Sequence, residues 1–167
     1  SVNTPIILYN VPSRTGVNIT PENLKELSTL SNVVAIKEAS GNIGQVVQMK
    51  ALCGDKIDIY SGNDDQAIPI LSLGGKGVIS VLANIIPNAV HTMIKSYLNG
   101  DVKKALDLQL ENLKLSSTLF IETNPIPIKT ALNLIGKDVG PLRLPLYEMS
   151  DSNLMKLKDT LKEYNLL

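Results

Sequence analysis

Cysteine and histidine are almost missing from this chain of 167 residues, which has one of each, Cys53 and His91. A single cysteine excludes an intrachain disulfide and a zinc site built on several thiolates. It fits a reducing compartment, so a cytoplasmic protein is expected. A lone histidine argues against a His-rich centre, and no metal site is expected. Charge of one sign is not in excess either: 16 basic residues face 16 acidic ones. Nothing in that balance favours nucleic acid or an anionic membrane as a partner. No apolar run approaches the roughly 18–20 residues a membrane helix needs, and no signal-peptide pattern is visible. No initiator methionine is present: Ser1-Val2-Asn3-Thr4-Pro5 leads straight into an apolar run. The expectation is a chain that begins partway through a larger protein.

Four short apolar runs are present: Pro5–Tyr9, Val33–Lys37, Ile57–Ser61 and Gly77–Val81. They are rich in β-branched residues, and only the third alternates strictly. Strands buried on both faces read this way. Helical segments separate them. Thr20-Pro21 reads as an N-cap followed by proline at the first helical position, ahead of Leu24, Leu27 and Leu30. Asn42 opens a second helix with Val46, Met49 and Cys53 on one side and Gly54 as its stop. Asn63-Asp64-Asp65 caps a third, which Gly74-Gly75 ends and in which Pro69 sits awkwardly. A fourth spans about Asn84 to Leu98. Further on, Val102, Leu106, Leu110 and Leu113 form a stripe in one helix. A shorter helix follows Asn124-Pro125, around Ile128–Ile135, and a last one carries Leu154, Leu157 and Leu161 behind a cap at Ser150 or Asp151.

Strands alternating with helices imply a parallel sheet with right-handed crossovers. No glycine-rich phosphate loop follows the first strand and no Walker-type motif occurs, so a nucleotide-binding sheet loses weight. The strand runs start at Pro5, Val33, Ile57 and Gly77, 20 to 28 residues apart, which suits a (β/α)8 barrel. The expected fold class is therefore α/β: four βα units, the C-terminal half of such a barrel, over residues 1–100, then a C-terminal helical region over 101–167.

Barrel enzymes place their chemistry at the C-terminal ends of the strands. The first strand ends in Tyr9, the second in Lys37, the third in Ser61-Gly62, and the fourth carries Ile79-Ser80. Four apolar residues precede Lys37, so its base is held in a buried strand. A lysine held there can be partly desolvated, which frees its amine to attack a ketone or aldehyde and form an imine. The plainer reading is a lysine whose stem carries the charge out to solvent. Tyr9 offers a phenol for proton transfer, or is a core tyrosine with a satisfied hydroxyl. Arg14, just past the first strand, suits a bidentate carboxylate clamp, or is a surface cation. Gly62 permits close backbone approach to a substrate, or marks a simple turn. Glu38, Asp64 and Asp65 are weaker acid–base candidates, the two aspartates reading better as partners of a helix N-terminus. Lys129 reads as structural, Cys53 as core, and His91 as a packing or surface residue.

Several segments resemble one family. Tyr9-Asn10-Val11-Pro12-Ser13-Arg14-Thr15-Gly16 is similar to the signature segment of the dihydrodipicolinate synthases, and Ile36-Lys37-Glu38-Ala39-Ser40-Gly41 resembles their Schiff-base lysine segment. Ser61-Gly62-Asn63-Asp64, Gly74–Ser80 and Asn124–Lys129 resemble further family segments, in the same order along the whole chain. The resemblance implies a lyase that condenses pyruvate with aspartate-β-semialdehyde on the route to diaminopimelate and lysine. It implies Lys37 as the imine lysine and Tyr9 as a proton relay. It further implies Arg14 as the clamp on the semialdehyde carboxylate, the backbone at Gly62 and Ile79 as lining, and neither metal nor organic cofactor. Homotetramers are common in that family.

The resemblance also implies a large departure, because the N-terminal half of the family is missing. That half supplies four strands, a threonine of the proton relay, a second tyrosine given across a subunit interface, and most of the pyruvate-carboxylate site. The chain alone is expected to be inactive, with its open apolar face covered by the missing half or by a second copy. N-acetylneuraminate lyase and related 2-keto acid aldolases share the lysine and the tyrosine and form the alternative, though Arg14 favours the synthase. A non-catalytic half-barrel assembly module is the alternative of another class.

Overall fold

A computed structural model describes residues 3–167. The chain forms two compact units, one ending at Ser80 and one beginning at Val81. The first contains β1 (Ile6–Asn10), α1 (Pro12–Thr15), α2 (Pro21–Leu27), β2 (Val33–Glu38), α3 (Ile43–Cys53), β3 (Asp58–Ser61), α4 (Ala67–Ser72) and β4 (Gly77–Val78). The four strands form one parallel sheet in the order β1-β2-β3-β4. This is the fold class expected from the sequence, four βα units of a barrel with helices following.

Local chemistry explains most boundaries. Thr20 Oγ1 accepts from the Asn23 amide at 3.2 Å, and Asn42 Oδ1 accepts from the Gln45 amide at 3.1 Å. Each satisfies a backbone donor left over at a helix start. Gly54, at φ +58°, ends α3 in a conformation that side chains disfavour. The apolar residues of these elements meet in one core: Leu24, Val33, Ile36, Val46, Met49, Cys53, Ile57, Ile59 and Ile70, with Leu8 and Ile43 packed against them. That core lies between the helices and one face of the sheet.

Several expectations need correction. The stripe through Leu30 is cut short, because α2 stops at Leu27 and Leu30 is exposed. Asn63-Asp64-Asp65 does not open an α-helix. A 3-10 turn covers Asp64–Gln66, and α4 starts at Ala67, which leaves Pro69 in its first turn. Proline is tolerated there because first-turn amides have no intrahelical partner. The fourth strand ends at Val78, and the helix expected from Asn84 starts at Pro87 after a 3-10 turn. The short helix α1 was not foreseen; Pro12 at its first position and Gly16 in the left-handed region at its end account for it.

The second unit is helical: α5 (Pro87–Leu98), α6 (Val102–Glu111), α7 (Leu113–Thr118), α8 (Ile126–Leu134) and α9 (Asp151–Glu163). The stripe Val102, Leu106, Leu110 and Leu113 spans two helices rather than one and is exposed, whereas α6 buries Ala105 and Gln109. Leu115, Leu119, Leu157 and Leu161 are fully buried. Glu122 secures the start of α9: its Oε1 accepts from the Ser150 amide at 3.1 Å, Ser150 Oγ at 3.0 Å and Asn153 Nδ2 at 2.9 Å. The Asn153 amide, chief among these donors, holds the Glu122 carboxyl below its ordinary value.

Candidate active site

Successive strand residues point to opposite faces of a sheet. Ile36 of β2 lies in the core beneath the helices, so Lys37 belongs to the other face. Tyr9 is its register partner on β1. The two side chains meet there: Lys37 Nζ lies 4.2 Å from the centroid of the Tyr9 ring. A cation over a ring face at this range is attracted by the quadrupole of the ring. Lys37 is partly buried and Tyr9 is 48% exposed, so an amine and a phenol stand together on an accessible surface. On the far side of Lys37, Tyr60 of β3 is its other register partner.

The backbone crowds the same lysine. The Gly62 amide donates to the Glu38 carbonyl at 2.7 Å, continuing the β2–β3 ladder past its last residue. A Cβ at Gly62 would lie 2.6 Å from Ala39 Cβ and 3.2 Å from Lys37 Cε. Only glycine fits, and the reason is space rather than a left-handed φ. Ile79 follows β4 directly, its amide donating to the Ser61 carbonyl at 2.8 Å, with its side chain 40% exposed. Arg14 is exposed on α1, which Gly16 closes by donating its amide to the Pro12 carbonyl at 2.9 Å. Lys37 thus lies beside both Tyr9 and Gly62, and Arg14 and Ile79 follow the ends of β1 and β4 in the chain.

The weaker candidates fall elsewhere. Glu38 is 1% exposed and alternates to the opposite face from Lys37, so it does not share the accessible surface of Lys37 and Tyr9. Asp64 is buried within the 3-10 turn after β3, and Asp65 is exposed. Burial pushes the Cys53 thiol above its ordinary range against the pull of Lys25 and Lys56, which suits a core residue and not a nucleophile. His91 is exposed on α5. Lys129 Nζ donates to the Pro141 carbonyl at 2.6 Å, beside a cleft of about 460 Å3 in the second unit. No group of three or more His, Cys, Asp or Glu side chains that could hold a metal ion occurs among the described residues. No helix among them is long and apolar enough to cross a membrane.

Sequence reading missed one group, the buried Asn10, Glu38 and Gln45 under the strand ends, joined by the exposed Asn18. The signal was available: Asn10 and Glu38 are polar residues at strand positions that alternate toward the core.

Comparison with known proteins places this geometry in a family. The chain is 64% identical over 165 residues to the 4-hydroxy-tetrahydrodipicolinate synthase of Clostridium novyi (strain NT), which covers 99% of this chain and 56% of that protein. It is 63% identical over 167 residues to 4-hydroxy-tetrahydrodipicolinate synthase 1 of Clostridium acetobutylicum, covering 57% of that protein. Among solved structures, the dihydrodipicolinate synthase from Aquifex aeolicus superposes with a TM-score of 0.96 at 42% identity, over 99% of this chain and 57% of that one. The chain therefore spans little more than half the length of the relatives it matches. Residues 1–164 match the model of the dihydrodipicolinate synthetase family, and the chain belongs to that family.

Proposed function

We propose that this chain carries the imine-forming part of a cytoplasmic lyase that condenses pyruvate with aspartate-β-semialdehyde to give 4-hydroxy-tetrahydrodipicolinate. Residues 1–100 are the barrel half and 101–167 its helical extension. The observation that supports this most is the Lys37 amine 4.2 Å from the Tyr9 ring centroid, on the accessible face of a parallel sheet.

The Lys37 amine adds to the pyruvate ketone, and loss of water leaves an imine. Loss of a methyl proton turns the imine into an enamine, whose carbon forms the new bond to the aldehyde carbon while the aldehyde oxygen takes up a proton. Tyr9 relays these protons. Arg14 clamps the semialdehyde carboxylate, which its planar fork of donors fits. The amino nitrogen of the semialdehyde part then attacks the imine carbon; the ring carbon–nitrogen bond forms, the bond to Lys37 breaks, and the proton lost by the attacking nitrogen returns to the lysine amine. The Gly62 and Ile79 backbone lines the lysine pocket; without a side chain at Gly62, the chain there passes close to the Lys37 stem.

The open face bearing Ile7 and Tyr9, 52% and 48% exposed, supports a partner that covers it. That partner is the other half of the family barrel or a second copy, in a homo-oligomer that is a tetramer when whole. Alone, the chain is inactive. A sugar-acid lyase would share Lys37 and Tyr9, and Arg14 favours the synthase.

Borohydride trapping with pyruvate, followed by peptide mass spectrometry, tests the reading. A reduced three-carbon adduct on Lys37, in this chain or in the chain joined to the missing half, is the expected result. An adduct only on another lysine overturns the site. The absence of any adduct in both forms overturns the lyase reading.

A further inference from the structure

Under the strand ends, on the face turned from Lys37, Asn10 and Glu38 are register partners and each is 1% exposed. Asn10 Nδ2 donates to Glu38 Oε2 at 2.8 Å and to Asn18 Oδ1 at 2.9 Å, while Asn10 Oδ1 accepts from the Ile19 amide at 2.9 Å. Glu38 Oε1 accepts from the Ser40 amide at 2.6 Å. Asn18 Nδ2 donates to Gln45 Oε1 at 2.7 Å, and Gln45 Nε2 donates back to Asn18 Oδ1 at 3.2 Å.

Such a set is costly in a place built for apolar side chains, and is tolerated when every member is satisfied. Apolar residues at positions 10 and 38 would fill the same layer as Leu8 and Ile36 without that cost. What the polar set adds is connection. Asn10 follows Tyr9 and Glu38 follows Lys37, so their bond fixes the peptides that carry the phenol and the amine. Asn10 also binds Asn18 and the Ile19 amide, which closes the loop bearing Arg14.

We propose that Asn10, Glu38 and Asn18 are positioning residues: a clasp, buried at Asn10 and Glu38 and exposed at Asn18, that holds the Lys37 amine against Tyr9 and fixes the base of the Arg14 loop. The proposal rests on the reading of Lys37, Tyr9 and Arg14 given above. Glu38→Gln places an amide where two donors converge and breaks the clasp. Asn10→Asp with Glu38→Gln rebuilds it, because the new amide donates to the new carboxylate and the Asn18 amide turns to donate to it as well.

The readout is the NMR shift of the Lys37 ε-methylene protons, which the nearby Tyr9 ring displaces upfield. In Glu38→Gln at least half of that displacement disappears, and in the double variant it returns. In parallel, Asn18→Ala, a change at an exposed side chain, removes its hydrogen bonds to Asn10 and Gln45; Asn10 is loosened, and exchange of the Ile19 amide that it holds speeds about tenfold, as weakening of one hydrogen bond implies. Where trapping succeeds, Glu38→Gln slows adduct formation at saturating pyruvate by up to about a hundredfold, the cost of a misplacement near 1 Å. The double variant recovers the rate.

A folded Glu38→Gln with the full Lys37 displacement and only a lower melting temperature assigns the cluster to stability alone and overturns the proposal. If both buried variants fail to fold, unchanged Ile19 exchange in Asn18→Ala overturns it. If the unaltered protein forms no Lys37 adduct, the lyase reading fails, while the ring displacement and the exchange rates still decide the clasp.

Discussion

Alanine at Gly62 is the sharpest perturbation the site offers. The new methyl carbon would stand 2.6 Å from Ala39 Cβ and 3.1 Å from the Glu38 carbonyl oxygen. Carbon atoms pack at about 3.5–4.0 Å, so roughly 1 Å of room must be made. The neighbour is a Cβ fixed to the chain, not the far end of a flexible side chain, so the backbone has to move. Overpacking of this kind costs about 1–3 kcal/mol. Against it stands a gain of about 0.4–1 kcal/mol, because alanine has less freedom than glycine to lose on folding. The clash wins, and Gly62→Ala is expected to destabilise by roughly 1–2 kcal/mol. Gly77→Ala is the matched control: its methyl would meet only the Tyr60 ring, at 3.6 and 3.7 Å, which is ordinary contact. Urea denaturation of both variants gives the comparison, and borohydride trapping reports the effect on Lys37, whose Cε is 3.2 Å from the same methyl position. Equal stability of the two variants would refute the steric argument, and wild-type trapping in Gly62→Ala would separate this glycine from the lysine pocket.

Three further outcomes follow from burial and charge. Leu24→Ala empties a fully buried position of the first core, and a loss of about 2–5 kcal/mol is expected by denaturant titration. Leu110→Ala, at a position 59% exposed, is expected within about 0.5 kcal/mol of the parent. The Glu122 carboxyl is held below its ordinary value, chiefly by the Asn153 amide. Its contribution is therefore present above the unfolded-state value and lost as pH falls through the lower folded-state one. Amide exchange in the first turn of α9 should accelerate across that acidic window in the parent protein, and Glu122→Gln should flatten the dependence.

Much of the candidate site was legible because its residues sit at strand ends, where a run of β-branched residues is followed by Tyr9, Lys37 or Gly62. Helix starts were legible where a side chain does the capping, at Thr20 and Asn42. They were misread where proline and 3-10 turns set the boundary, around Asp64–Pro69 and Leu82–Pro87, because those turns leave no hydrophobic period to read. The stripe from Val102 to Leu113 has helical spacing, yet it faces outward. Periodicity reports that a face is apolar, not what covers it.

The sequence alone determined the alternation of strands and helices and offered the candidate groups at the strand ends, since both are local properties of a few neighbouring residues. It could not determine which groups face each other. Ile6 pairs with Val33 but Ile7 with Ala35, an irregularity that passes over Val34. Without it, Tyr9 would stand beside Ile36, and Asn10 beside Lys37. A one-residue slip exchanges the faces of a strand, so the meeting of amine and phenol, and of Asn10 with Glu38 beneath them, is a property of strand register, which only tertiary packing sets.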